Sequence, residues 1–442
     1  MKTLSKFFGI AILILMVTKI SAQIQYSRAY DKTGINVFEP SKTDNATYDG
    51  FKLKIGGSFR QGYQMLNHEN VDTSKTKKLA LYPLGNGFNL AAANLNFDVQ
   101  LGDGIRIFLE NYIASRHHNE FWVKGGYIQI DKLPMFGNPE WFTKYFRAKI
   151  GHMEVNYGDM HFRRSDGGNA IFNAFADNNI MDEFATEIGG ELYVYPADGF
   201  MAMVGLTNGL IRNNIRDYTI APVFGTAKAD SIKTKNPSII AKLAYDKAVN
   251  DFRIRLSGSF YHNNSSPALT LFGGDRTGSA YFAVMETAAS TNGTAEAFSG
   301  RFNPGMSNTL TTFIINPFVK YKGLELFGTF ESAVGKSVNE KPDAYDGANR
   351  KTTQIAGEVI YRFLKDEQLF VGAKYNTVTS KLNGYTTDVD ITRLALAAGW
   401  FPTKNLLLKG EYVNQEYEGF KGTDIRNGGK FKGLVIEAVV GF

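Results

Sequence analysis

The 442-residue chain has no cysteine, so disulfide staples, thiol nucleophiles, thiolate metal sites and a lipid-anchored N-terminal Cys are all excluded. Long apolar runs are also missing. Only Phe7 to Thr18 forms one, twelve residues long, which is too short to cross a bilayer as a helix. Lys2 and Lys6 precede it and Ile20-Ser21-Ala22 follows, the layout of a secretory signal peptide over residues 1–22. Cleavage after Ala22 would leave 420 residues with 46 basic against 43 acidic side chains, in place of 49 against 43. Strong net charge is therefore missing too, and no nucleic-acid partner is expected. The six histidines show no HxxxH or HExxH spacing.

Gly, Phe and Tyr are abundant, at 45, 34 and 22 residues, while mean hydropathy is only −0.21. Many aromatics in a chain that is polar on average fit strands with one lipid face and one wet face. A soluble sandwich or β-helix is the competing reading. The last strand argues against it: Leu434, Ile436, Ala438, Val440 and Phe442 alternate with Gly433, Val435, Glu437, Val439 and Gly441. An alternating strand closing on a terminal Phe resembles the signal read by outer-membrane assembly machinery.

Period-two alternation recurs along the chain, because successive strand side chains point to opposite faces. Phe51, Leu53, Ile55 and Phe59 oppose Lys52, Lys54, Ser58 and Arg60. Leu95, Phe97, Val99 and Leu101 oppose Asn94, Asn96, Asp98 and Gln100, with a turn at Gly102-Asp103-Gly104. Paired segments continue to the C-terminus and bring the expected total to sixteen antiparallel strands over 50–442; the strand at 121–131 alternates poorly. Most connections on one side have two to five residues, and those on the other are long, including 66–89, 154–184, 208–236 and 262–311. Short periplasmic turns opposite long external loops predict an all-β transmembrane barrel, with residues 23–49 as a polar periplasmic leader.

Sixteen strands enclose a wide lumen, so inward residues are the candidate site. Lys52, Lys54, Arg60, Arg106, Arg147, Lys149, Lys242, Arg253, Arg255, Lys320, Arg362, Lys374, Arg393 and Lys409 are assigned inward. So are Asp98, Glu110, Glu187, Glu191, Asp246, Glu325, Glu331, Glu358, Glu411 and Glu437. A mixed wall of satisfied ion pairs is one reading. The other is an anion track, because the first, fifth and ninth strands carry only basic inward residues. The loop 154–184 mixes apolar anchors with charges, including Arg163 and Arg164, and is expected to fold inward and narrow the pore. Its Asp177-Asn178-Asn179 and Asp182 lack EF-hand spacing, so turn and cap roles are preferred to calcium binding. His161, Ser165 and Asp166 lack the supporting context of a hydrolase, and neither enzyme activity nor a cofactor or metal is expected.

Lys149-Ile150-Gly151-His152-Met153-Glu154-Val155-Asn156-Tyr157-Gly158, leading into this loop, resembles the phosphate-selective porin family in a divergent form. The likeness covers most of the mature chain as architecture and 146–195 as motif. It implies passive passage of small anions or polar solutes through the outer membrane and assembly as a homotrimer. Arg147, Lys149, Arg163 and Arg164 match by position and type; Asp159, Asp166, Asp177 and Asp182 depart from the pattern. The alternative is a non-conducting structural barrel, its lumen plugged, within a larger outer-membrane complex.

Overall fold

The computed structural model describes residues 23–44, 46–72, 78–89, 91–114, 121–209, 236–275, 277–288, 298–337, 340 and 349–442. The signal-peptide expectation at 1–22 and much of the 208–236 loop lie outside them. Sixteen strands form one closed antiparallel barrel. They are β1 (Lys52–Glu69), β2 (Ala92–Gly102), β3 (Ile105–Ala114), β4 (Phe121–Ile130), β5 (Phe146–Glu154), β6 (Thr186–Val194), β7 (Phe200–Thr207) and β8 (Ser238–Val249). There follow β9 (Phe252–Asn263), β10 (Thr309–Tyr321), β11 (Leu324–Lys336), β12 (Arg350–Phe363), β13 (Leu369–Ser380), β14 (Val389–Thr403), β15 (Leu406–Glu418) and β16 (Lys430–Gly441). A two-residue strand, Gly87–Phe88, adds to the edge of β1 beyond the end of β2.

Each strand pairs with its sequence neighbours, and β1 closes on β16 with Ser58 opposite Gly441 and Glu69 opposite Lys430. Closure leaves no sheet edge, so every strand finds its backbone partners without water, as a hydrocarbon surround demands. The outward face is apolar: Phe51, Ile55, Leu243, Leu256 and Ile355 all stand exposed. Tyr321, Tyr361 and Trp400 lie outward near the short turns, as in an interfacial aromatic girdle. At the β2–β3 turn Gly104 has φ +72, and a Cβ there would sit 2.5 Å from Lys132 Cβ, so the turn needs glycine twice over.

The irregular alternation of β4 has a cause. Asn111 of β3 faces Val123 while Glu110 faces Gly125, so Lys124 is an extra residue, a β-bulge. Trp122 and Val123 are both exposed in succession, and Lys124 is turned into the lumen, only 6% exposed. Re-aiming one side chain is what a bulge does.

The open aqueous channel expected from the strand number is not what the barrel encloses. Residues 24–44, 155–185 and parts of 264–306 fill it. Phe38, Tyr157, Ile171, Phe175, Ile180, Met181, Tyr281 and Val284 are buried there. They meet apolar residues on the inward face of the wall, among them Ile314, Ile360, Phe401, Leu407, Val435 and Val439. A loop with that many apolar residues gains more by packing into a preformed cylinder than by facing solvent.

Candidate functional site: the filled lumen

The site is built in three layers. At the short-turn mouth the leader runs round the inner wall. Gln25 accepts from the Gly104 N–H at 2.9 Å, and the Lys32 N–H donates to the Lys404 carbonyl at 2.8 Å. Asn36 donates to Glu325 at 2.8 Å, and Glu39 takes ion pairs from Lys242 and Arg255 at 2.9 and 2.7 Å. Lys42 then reaches the Asp131 carbonyl at 2.6 Å, and the Tyr26 N–H donates to Asp44, which closes the circuit.

The middle layer is the loop after β5. Asp159 accepts from Arg255 at 2.7 and 2.8 Å and from Lys242 at 2.8 Å. Tyr157 donates to Glu331 at 2.8 Å. Arg164 forks onto Asp166 and Asp182 with four bonds of 2.8–2.9 Å. Three wall cations hold the loop by its backbone. Lys409 donates to the carbonyls of Ala170, Asn173 and Phe175, Lys374 to that of Asp177, and Arg393 to that of Asn178. An irregular buried backbone needs such donors, because its carbonyls have no ladder partner. The outer layer locks on through Arg301, which pairs with Asp177 and Asp182 at 2.7 Å and with Asp166 at 3.2 Å.

The residues singled out as pore-lining therefore have specific neighbours. Lys52 pairs with Asp49 at 2.6 Å, and Lys54 lies 4.9 Å from the Tyr30 ring centroid. Arg60 pairs with Glu437 at 3.4 Å and donates to the Ser165 carbonyl. Arg147 is fully buried, bonded to Asp131, the Pro40 carbonyl and Tyr195. Arg163 reaches Glu358 at 3.1 Å and also Asn36. Arg253 forks onto Asp246, and Arg255 onto Asp159 and Glu39. Lys149 is different: its ammonium lies 5.1 Å from the centroids of both Tyr127 and Tyr193, without a carboxylate partner among the described residues. On the basic strands β1, β5 and β9, Arg60, Arg147 and Arg253 are balanced by acids of neighbouring strands or their ends, while Lys52 and Arg255 are balanced by acids of the leader and loop, which strand-by-strand reading does not count.

Charges in the plug respond to this packing. Burial pushes the Asp159 carboxyl up, but Arg255 and Lys242 outweigh it and hold the group at about 2. Asp166 is likewise held below the usual range, with Arg164 and then Arg301 overriding burial. Glu183 goes the other way, raised by burial and by the facing Glu331. The acids weighed as calcium ligands face guanidinium groups. Ser165 bonds Asn178 and His161 bonds Asn156, so the two do not form a nucleophile–base pair.

A cavity of about 160 Å³ lies between plug and wall against β2–β6. Arg28, Arg106, Lys124, Lys149, Glu110 and Glu154 contribute charge to it, and Phe108, Tyr127, Phe162 and Phe172 contribute rings. Arg28 and Lys124 were missed from sequence. Arg28 lies in a leader without strand periodicity, and Lys124 occupies the bulge. A usable signal was present elsewhere: Val435 and Val439 are apolar at inward positions, which implies something dry inside.

No family model matches the chain, and neither does any curated protein. Solved structures do resemble it. The anion-selective porin from Comamonas acidovorans is 12% identical with a TM-score of 0.54, over 89% of this chain and 100% of that one. OprB from Pseudomonas putida is 11% identical at 0.52, over 89% and 94%. The outer membrane channel DcaP of Acinetobacter baumannii is 11% identical at 0.51, over 90% and 99%. The chain has the fold of outer-membrane β-barrels, at identities where fold is the whole of the likeness.

Proposed function

We propose that the protein is an outer-membrane porin of restricted bore, a passive route for small polar solutes with a modest preference for anions such as phosphate. The observation that carries this reading is the charge-lined space along β2–β6, where Lys149 has no ion-pair partner among the described residues. A low-dielectric wall focuses such a charge and raises the local anion concentration. A homotrimer is the assembly we expect, to be checked by the mass of the detergent-extracted complex.

Planar-bilayer recording tests this reading. Steady low-conductance openings are expected, and Lys149→Gln should shift the zero-current potential in a salt gradient toward cations. The shift should shrink at high salt, since the Debye length is about 10 Å at 0.1 M. Arg255→Gln should act differently, raising conductance by leaving Asp159 and Glu39 held to the wall by Lys242 alone. A second reading, a non-conducting barrel within a larger outer-membrane complex, is favoured by the anchoring of Lys374, Arg393 and Lys409 to plug carbonyls. Absence of any current from correctly folded protein would select it.

A further inference from the structure

The cavity against β2–β6 brings together cations without an ion-pair partner among the described residues and acceptor oxygens without a donor. Lys149 is bracketed by two tyrosine rings and has no ion-pair partner among the described residues. The Arg28 guanidinium stacks 3.9 Å from the Phe172 centroid and donates only to the carbonyls of Gly34 and Phe162. On the acceptor side, Glu154 Oε1 and Asn96 Oδ1 are buried without a hydrogen-bond donor, the other Glu154 oxygen lying 4.0 Å from His161 Nδ1, and Asn96 is 3% exposed. Each buried group left unpaired is destabilising, because it has given up its water without gaining a partner. The volume of about 160 Å³ is close to that of a site known to hold a benzene-sized molecule. The Tyr127 and Phe172 rings give it an apolar side.

We propose that this cavity binds a small zwitterion, a free α-amino acid with an uncharged side chain of about leucine size. Lys149 and Arg28 receive the carboxylate, Glu154 and Asn96 receive the ammonium, and the rings take the side chain. A phosphate dianion satisfies the cations but sets its charge against Glu154 and the Asn96 carbonyl oxygen. A zwitterion satisfies both sets, which is why it is preferred over a simple anion. The inference shares its cavity with the diffusion reading but does not depend on conduction.

Isothermal titration of the detergent-purified full chain tests it with three probes: L-leucine, its deaminated analogue 4-methylpentanoate and its decarboxylated analogue isopentylamine. Leucine is expected to bind at least about tenfold more tightly than either, a gap of about 1.4 kcal/mol. Glu154→Gln should bring leucine down to the level of 4-methylpentanoate without weakening the latter. Lys149→Gln should weaken both acids alike. Binding of 4-methylpentanoate as tightly as leucine overturns the proposal, as does an absence of heat with leucine. The three-probe comparison on the unmodified protein decides the matter even if a variant fails to fold. A barrel that conducts without binding leucine removes this inference alone; one that binds leucine without conducting removes the diffusion reading alone.

Discussion

Lys409 shows what a buried wall cation does in this barrel. Its ammonium, 3% exposed as a residue, donates to three loop carbonyls and pairs with Glu437 at 3.1 Å. Buried ion pairs contribute little net stability, because desolvation offsets attraction, but removing one partner is costly. Lys409→Met should therefore destabilise the plug by about 3 kcal/mol, the scale of hydrogen bonds to a charged group. Hydrogen exchange at 170–176 is the measurement, and unchanged protection there would show that apolar packing of Phe172 and Phe175 suffices. Alternation placed Lys409 inward. It could not show that its partners are carbonyls more than 230 residues away, since nothing local in either segment marks the pairing.

At the scale of elements, strands were legible and their contents were not. A period of two survives any tertiary context that keeps one face on lipid, so β9, β11 and β12 follow from their residues alone. The bulge at Lys124 broke that period, and β1 runs on to Glu69, past the sequence boundary at 66. The loop after β5 was readable as a packed element from Phe172, Phe175 and Met181, while the leader was not, because its anchors Phe38 and Glu39 meet residues from distant strands. Replacing 156–184 with a short Gly-Ser connection should raise single-channel conductance several-fold, because it removes the middle layer and unties Arg301. Conductance equal to that of the intact chain would mean that leader and outer loop close the barrel by themselves.

For the whole molecule, the seam and the plug rest on different forces. At the seam Phe442 exchanges backbone hydrogen bonds with Gly57, at 3.0 and 3.1 Å, with its ring outward. Deleting Phe442 should lower the yield of heat-modifiable barrel, and normal yield would separate the terminal aromatic from assembly. The plug depends instead on carboxylates. The Asp159 pKa, lowered to about 2 from an ordinary 3.8, contributes attachment that is fully present above pH 4 and lost as pH falls toward 2. Asp166 and Asp177 are lowered too, so their contributions vanish in the same direction. Glu183, raised by burial, has the opposite sign: its protonation favours the plug as pH falls, but this is complete below its ordinary pKa of 4.5, so it does not offset the release expected between pH 4 and 2. The barrel itself is held by backbone ladders that do not titrate. Acidification from pH 5 to 2 should therefore increase conductance and expose 155–185 to protease while β-sheet circular dichroism stays constant. Simultaneous loss of sheet signal and plug protection would instead make plug and barrel one cooperative unit.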